Sequence, residues 1–246
     1  MAQFYVSKQG DDNNDGLSDG TAKKTVPAAL AIPTTDQITN IQLKFDPAPY
    51  TEPVNVTYYR GVNIIGYGGG KPTLRAAGAG VLLLAQDHAL FGLTGVRINS
   101  SVVGAILIQQ RQFVIGDYVN CDWGGQAIQS CCIFATDYNT VNFAGDQNIN
   151  GGSGSFVSIN NSTLYGSCSF IMNAPGATFT DGFIVGSSNA LLKFQSALFM
   201  GPGGNVNTIG KQWVLSSGSQ LWKPSAYPYP IPGSIQGTKD ATSTVY

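Results

Sequence analysis

A repeat of roughly 20 to 24 residues, running from about residue 60 to the C-terminal region, limits the folds open to this chain. Large aromatic and aliphatic side chains recur once per repeat and stay in phase with each other. The aromatic series is Phe91, Phe113, Phe134, Phe156, Phe179, Phe199 and Trp222. The aliphatic series is Val96, Val119, Val141, Leu164, Ile184 and Val206.

The apolar runs within each repeat are short and bounded by Gly, Asn and Ser, as in Val81–Leu84, Ala105–Ile108 and Trp213–Leu215. Such runs are typical of β-strands and too short for helices. Three short strands in about 22 residues make one coil of an all-β parallel solenoid, with the aromatic series as an internal stack of rings. A propeller blade needs about 40–45 residues. A sandwich lacks the three-phase register, and the leucine-rich-repeat consensus is absent.

The composition narrows the possible partners. Only 11% of the 246 residues are charged and the net charge is −1, which argues against nucleic acid as a partner. No apolar run is long enough for a membrane-spanning helix, which takes roughly 20 residues, so we expect no membrane insertion. The first residues have no signal-peptide pattern. The cysteines fit no zinc spacing and are predicted to be reduced and near the core: Cys121, Cys131, Cys132 and Cys168.

Three regions follow from this pattern. Residues 1–40 contain a strand (Phe4–Ser7), a polar loop and a short helix (Thr25–Ile32) that is placed to cap the solenoid. Residues 41–223 form the parallel β-helix. Residues 224–246 begin with an extended Pro/Tyr segment, which we expect to end the solenoid and to make contacts in a trimer.

The N-terminal residues resemble a known family. Residues 4–7 (FYVS), 10–17 (GDDNNDGL) and 24–30 (KTVPAAL) are similar to the opening of pectate-lyase-like right-handed parallel β-helix proteins, and residues 62–68 (VNIIGYG) look like an early coil. This resemblance covers about residues 3–225. It implies a right-handed β-helix, most like those of bacteriophage tail fibres and tail spikes, in a family that also holds lyases, hydrolases and adhesins.

Two local features, a segment like a calcium loop and a single histidine, have a structural explanation that involves no metal binding or catalysis. Asp11, Asn13 and Asp15 match the opening of a calcium loop, but Ala22 stands where the bidentate Glu is expected, and a run of Asx turns explains the same residues. His88 lies in a predicted turn, without an assignable catalytic partner. We therefore predict neither a metal site nor a cofactor.

The candidate binding site is a pair of Asp-Tyr dipeptides, placed on neighbouring predicted coils, with a tryptophan nearby. Carboxylates can accept hydrogen bonds from sugar hydroxyls, and exposed rings can stack on sugars. A solvated turn, sugar binding and acid catalysis remain open for these residues. Catalysis would need two carboxyls at a defined separation. The candidates are Asp117, Tyr118, Trp123, Asp137 and Tyr138.

A lyase site would need a basic residue beside a carboxylate cluster that binds calcium. Arg75 and Arg97 are one predicted coil apart in sequence and so could stack on adjacent coils, and Arg111 lies near in sequence. No Asp triad accompanies them, so the lyase residues of the family cannot be transferred to this chain.

Three functional hypotheses follow. The first is a bacteriophage tail fibre or tail-spike component, folded in the host cytoplasm and carried on the virion tail. As a homotrimer it would bind a bacterial surface polysaccharide. The second is a polysaccharide-degrading enzyme, a lyase or glycoside hydrolase, on the same fold; a bacterial adhesin is a third and weaker alternative.

Overall fold

The computed structural model describes residues 1–57, 61–76, 80–100, 106–124, 131–151, 154–173, 178–194, 197–201, 209–223 and 231–246. These residues form a right-handed parallel β-helix, as predicted from the repeat and the resemblance. Successive coils pair through parallel strands at all of the described pairings. The fold class is therefore confirmed.

The described elements are one short α-helix, a 3₁₀ turn at Asp19–Thr21 and a series of short strands. The helix is α1 (Val26–Leu30). The strands are β1 (Ala2–Val6), β2 (Ile38–Lys44), β3 (Val54–Val56), β4 (Gly61–Tyr67), β5 (Thr73–Ala76), β6 (Val81–Gln86), β7 (Leu90–Thr94), β8 (Arg97–Ser100), β9 (Ile106–Arg111), β10 (Ile115–Val119), β11 (Asp122–Trp123), β12 (Cys131–Thr136), β13 (Thr140–Ala144), β14 (Asp146–Ile149), β15 (Ser155–Asn160), β16 (Thr163–Gly166), β17 (Ser169–Met172), β18 (Thr178–Phe179), β19 (Gly182–Ser187), β20 (Leu191–Lys193), β21 (Leu198–Met200), β22 (Ile209–Gly210), β23 (Trp213–Leu215), β24 (Gln220–Trp222), β25 (Thr238–Lys239) and β26 (Thr244–Val245).

Three long sheets form the walls of the solenoid. Sheet A has the order β1-β2-β4-β7-β10-β13-β16-β20-β24-β26, sheet B the order β21-β17-β14-β11-β8-β5, and sheet C the order β25-β23-β19-β15-β12-β9-β6-β3. A coil runs from sheet C through a tight corner to sheet A, and then through a second corner to sheet B. Strands β18 and β22 form a small additional pair.

The coils are longer and less uniform than the sequence repeat predicts. Thr140 pairs with Thr163, 23 positions later, whereas Leu191 pairs with Gln220, 29 positions later. A series with a constant step therefore drifts out of register with the strands.

The aromatic series consequently does not form one internal stack. Phe156 is buried as predicted, but Phe113 is 50% exposed at a corner, and Phe134 is half-buried on the outer side of sheet C. The prediction that all three lie inside the solenoid is wrong for Phe113 and Phe134. Both sit at positions that strand alternation or the corner turns outward.

The phenylalanines that fill the core come instead from several registers. Rings stack at centroid distances of 5.6 Å for Phe143 with Phe156, 5.1 Å for Phe156 with Phe183, and 5.2 Å for Phe170 with Phe199. The contacts between these rows are edge-to-face, as for Phe143 with Phe170. The core thus combines stacked rings along the axis with perpendicular rings across it.

Helix α1 begins where the sequence predicted the helix that caps the solenoid. The Thr25 hydroxyl accepts a hydrogen bond from the Ala28 N–H at 3.2 Å, and Pro27 occupies the first turn. Val26 and Ala29 are buried against the N-terminal strands. Strand β1 pairs with β2, so the first residues also form the first strand of sheet A.

The C-terminal segment differs from the expectation. Strands β25 and β26 pair in parallel with β23 and β24, so residues 238–246 add strands to sheets C and A. The prediction that residues 224–246 cannot continue the solenoid is wrong for this part. The Pro/Tyr segment 224–230, with its predicted trimer contacts, lies outside the described residues.

Two further features concern the cysteines and the membrane. Cys121 and Cys168 are buried and free, which agrees with their predicted reduced state. Cys132 is also buried, and the side chain of Cys131 is not among those described. Within the described ranges, no helix has the length and apolar character to cross a bilayer.

The two classes of phenylalanine should differ in stability measurements. We expect Phe170→Ala to lower the free energy of unfolding by about 3–5 kcal/mol, because it leaves a cavity in the core. Phe113→Ala, at an exposed corner, should cost less than about 1 kcal/mol. Urea denaturation of both variants tests the assignment, and equal losses would contradict it.

Candidate functional site

The corner between sheets C and A is built from two-residue turns in the left-handed backbone region. Asp137 and Tyr138 have φ angles of 68° and 65°, and Gln112 with Phe113 and Asp87 with His88 repeat this conformation. Left-handed backbone is unfavourable for residues other than glycine. Hydrogen bonds between coils hold it in place: the N–H of Phe113 donates to the Asp137 carbonyl at 3.0 Å, and that of His88 to the Gln112 carbonyl at 2.9 Å.

These turns align three rings into a row on the outside of the protein, which we call the corner row: His88, Phe113 and Tyr138. The ring centroids are 4.8 Å apart for His88 and Phe113, and 5.4 Å apart for Phe113 and Tyr138, with interplanar angles of 16° and 9°. Because the rings cover each other's faces, they present mainly their edges to solvent. Tyr138, which is 63% exposed, ends this stack.

Two carboxylates lie beside the corner row. Asp87 precedes His88 and Asp137 precedes Tyr138, in the turns on either side of the Gln112-Phe113 turn. The Asp137 carboxylate accepts a hydrogen bond from the Thr136 hydroxyl at 3.0 Å, and the Asp87 carboxylate accepts one from the Gln86 amide at 3.2 Å. Both acids lie beside the rings in the same turns. The corner row therefore combines ring edges and acceptors for hydrogen bonds at successive coils.

Asp117, the other predicted acid, lies on sheet A rather than in this row. It is exposed on β10, between Gly92 and Asn142 in register, and accepts a hydrogen bond from the Asn142 amide at 2.7 Å. The register partner of Asp117 on the next coil is Asn142, which lies five positions after Asp137. The two acids are on neighbouring coils, as predicted, but they do not occupy equivalent positions.

Tyr118 and Trp123 were predicted as exposed sugar-binding rings, and this prediction is wrong because both are fully buried. Tyr118 follows Asp117 on a strand, so it points inward where Asp117 points outward. Its hydroxyl accepts a hydrogen bond from the Gln110 amide at 2.6 Å, and the Trp123 N–H donates to Gln147 at 2.8 Å. Burial raises the pKa of Tyr118 far above its ordinary value.

Sheet B carries a polar cluster that the sequence analysis missed. Arg97, Asp122 and Asn148 are register partners on β8, β11 and β14. The Asp122 carboxylate accepts hydrogen bonds from Lys71 at 2.6 Å and from the Asn148 amide at 2.9 Å, and it lies 3.4 Å from Arg97. Arg97 and Asp122 are 25 positions apart, which is one coil in the structure but is longer than the repeat of 20 to 24 residues read from the sequence. The pair could therefore have been predicted only if the true coil length had been known.

The predicted stacking of Arg75 on Arg97 does not occur. Arg75 is the register partner of Asn99 and donates a hydrogen bond to its side chain at 3.0 Å. Arg97 is the partner of Thr73 on the same pair of strands. The two arginines are therefore diagonal neighbours on the outer face of sheet B.

The loop at residues 11–17 forms Asx turns. The Asp11 carboxylate accepts a hydrogen bond from the Asn13 N–H, and the Asp15 carboxylate accepts one from the Leu17 N–H, both at 2.9 Å. The Leu17 N–H and the Thr21 hydroxyl hold the pKa of Asp15 below its ordinary value. Among the residues described, no three His, Cys, Asp or Glu side chains are grouped to bind a metal.

Comparison with solved structures finds a similarity of fold at low sequence identity. A pectin methylesterase from Aspergillus niger has a TM-score of 0.51 and 11% sequence identity, and the match covers 100% of this chain and 84% of that one. The pectin methylesterase PemA from Erwinia chrysanthemi has a TM-score of 0.47 and 12% identity, covering 90% and 79%. At such low identity the similarity concerns the fold alone.

No protein-family model matches the sequence, and no curated protein matches it significantly.

The buried polar network should be important for stability. Gln147 accepts the Trp123 N–H and donates to the carbonyls of Tyr118 and Ala144. We expect Gln147→Leu to lower the free energy of unfolding by about 1–3 kcal/mol for each group left without a partner. Asn142→Ala, which removes a hydrogen bond on the surface, should change it by no more than about 0.5 kcal/mol. Urea denaturation compares the two variants, and a neutral Gln147→Leu would contradict the assignment.

Proposed function

We propose that the protein binds a polysaccharide along the corner row. The observation that carries this proposal is the alignment of His88, Phe113 and Tyr138, with Asp87 and Asp137 beside them, on three successive coils. Adjacent coils lie about 4.8 Å apart, so the row places one aromatic ring on each of three coils along the axis. A repeating surface suits an extended polymer better than a small ligand.

The stacking of the rings on one another limits the ways in which they can bind a sugar. Since Phe113 has ring neighbours on both sides, a sugar cannot stack on its faces without opening the row. The contacts would involve the outer face and hydroxyl of Tyr138, the ring edges, and the carboxylates of Asp87 and Asp137 as acceptors for sugar hydroxyls. Asp117 and Asn142 extend the polar surface onto sheet A.

We further propose that this polysaccharide lies on a bacterial surface and that the protein is a component of a bacteriophage tail fibre or tail spike. The support is the N-terminal resemblance, the sparsely charged sequence, and the free buried thiols of Cys121 and Cys168, which suit folding in the host cytoplasm. The Aspergillus neighbour is by its name an enzyme of pectin, so the same architecture serves a protein that acts on a polysaccharide.

The alternative function is cleavage of the polysaccharide. Glycoside hydrolysis generally requires two carboxyls about 5–9.5 Å apart with distinct roles. Asp117 and Asp137 are the candidates, and their unequal positions on neighbouring coils favour binding over cleavage. Release of reducing ends or unsaturated uronates from the bound polysaccharide would support the enzyme instead.

The outer face of sheet C suggests how a homotrimer could form. One register column on that face contains four large apolar residues, Leu84, Phe134, Val185 and Val214. Gln109 and Ser158 lie between them, and Asn55 and Thr238 lie at the two ends of the column. The corresponding column of sheet A is mostly polar and contains Asn63, Asp117, Asn142, Tyr165 and Lys193. Because these apolar side chains lie on sheet C and the corresponding column of sheet A is more polar, association through the outer face of sheet C is favoured.

Binding can be tested with variants at the corner row. We expect Tyr138→Ala to weaken binding to a capsular or lipopolysaccharide preparation by about tenfold or more, because it removes the end ring of the stack. Asp117→Asn combined with Asp137→Asn should also weaken it. Tyr165→Ala, an exposed tyrosine on sheet A, is the matched control and should bind as the wild type does.

The outcomes separate the two functions. Unchanged binding in Tyr138→Ala and in the double variant would exclude the corner row as the site. Efficient cleavage by the wild type that is lost in the double variant would assign the protein to the enzymes, because acid–base catalysis needs these carboxyls.

Association can be tested by light scattering. We expect the wild type to have three times the chain mass of 25.9 kDa, and Phe134→Lys to be a monomer, because a charge in an apolar interface is costly. Tyr165→Lys, on the more polar sheet A, should remain a trimer. A monomeric wild type at micromolar concentration would contradict the proposal.

A further inference from the structure

The outer face of sheet B concentrates positive charge in a chain whose net charge is −1. Lys71, Arg75 and Arg97 lie on two adjacent coils of this face. Lys71 and Arg97 share a single carboxylate, that of Asp122, and Arg75 contacts the uncharged side chain of Asn99. Two other acids lie near this face: Glu52, on the preceding coil beside β5, is 3.5 Å from Lys8, and Asp146 begins β14 at the corner with sheet A. One carboxylate does not neutralise the cations around it.

The contacts of Asp122 fix these cations without covering them. Its side chain is only 11% exposed, and one oxygen already accepts hydrogen bonds from Lys71 at 2.6 Å and from Asn148 at 2.9 Å. The side chain of Arg97 approaches the other oxygen at 3.4 Å and is 49% exposed, while that of Lys71 is 30% exposed. Each cation therefore keeps donor groups that reach solvent.

The two arginines are close enough to act on one ligand group. They are displaced by one strand and two residues, which corresponds to about 8 Å between their Cα atoms. The long side chains of Arg75 and Arg97 can converge across that distance. A guanidinium presents paired N–H donors whose geometry matches a carboxylate or a phosphate.

The described residues next to Asp122 on sheet B include a buried glycine and a group of uncharged asparagines. Gly124 follows β11 with a φ of 103°, and a Cβ at this position would overlap the carbonyl oxygen of Gly151. The backbone of Gly151 therefore fills the space next to Gly124, where only a residue without a side chain fits. Beyond it, the Asn173 amide donates to the side chains of Asn148 and Asn150 at 3.1 and 3.3 Å, so this part adds hydrogen-bonding groups without negative charge.

We propose that this face of sheet B is an anion-binding site that takes carboxylate or phosphate groups of a ligand, with Arg75, Arg97 and Lys71 as its contacts. The site lies on a different wall of the solenoid from the corner row. It uses none of the residues proposed there for polysaccharide binding, so it stands or fails independently of that function.

The test measures binding of charged and neutral probes to the full chain by titration calorimetry. Alginate supplies carboxylates on a polymer, dextran is the uncharged polymer, and inorganic phosphate is the competitor. We expect alginate to bind with an affinity that falls as salt is raised, and dextran not to bind at this site. Arg97→Gln and Arg75→Gln should each weaken alginate binding by about tenfold or more.

Lys193→Gln is the matched control, because it removes one positive charge from sheet A and leaves sheet B intact. It should bind alginate as the wild type does. Displacement of alginate by phosphate would extend the site to phosphate groups, and no displacement would assign it to carboxylates. Arg75→Gln keeps every contact of Asp122, so it tests the site even if Arg97→Gln folds poorly.

Two results would overturn the proposal. One is the absence of salt-dependent alginate binding by the wild type. The other is an equal loss of affinity in Lys193→Gln, which would show that only the overall charge of the chain matters.

Discussion

The hydrogen-bonded register between successive coils is the constraint on which the rest of this structure depends. Each parallel pairing places residues one coil apart in sequence side by side, so every outward or inward position becomes a column along the axis. This is how Arg97 meets Asp122 on the next coil, and how Lys71 reaches the same carboxylate from two coils away. The left-handed corner turns follow as well, because backbone hydrogen bonds from the neighbouring coil hold conformations that isolated residues disfavour.

The same register determines which polar groups the core must accommodate. Tyr118 and Trp123 occupy inward positions, so their polar atoms need buried partners, and Gln110 and Gln147 supply them. Gln147, on sheet B, also donates hydrogen bonds to the backbone carbonyls of Tyr118 and Ala144 on sheet A, and so links the two sheets. The core is thus not a uniform stack of phenylalanines, because a polar segment interrupts it at the coils that carry the corner row.

The sequence was sufficient for the fold class, the cap helix and several strands, because these depend on local patterns such as the run at Trp213–Leu215. The register was not predictable, since the coils differ in length and their strands are separated by loops that vary. The two Asp-Tyr dipeptides illustrate the consequence. Asp117-Tyr118 lies in a strand, where alternation buries the tyrosine, whereas Asp137-Tyr138 lies in a left-handed turn that exposes both side chains. The Asp122 cluster was missed for the same reason.

The three walls of the solenoid differ in chemistry because outward positions are free of the packing demands of the core. Sheet C has a column with four large apolar side chains, sheet B has a cationic face, and the corner between sheets C and A has a row of rings with acids. These features are compatible with the proposed homotrimer. A trimer that buries sheet C would leave sheets A and B facing solvent, and would bring the corner row to the rim between protomers. A polysaccharide bound there would contact two chains at once, and the effective concentration of the second contact would raise its affinity without any new type of interaction.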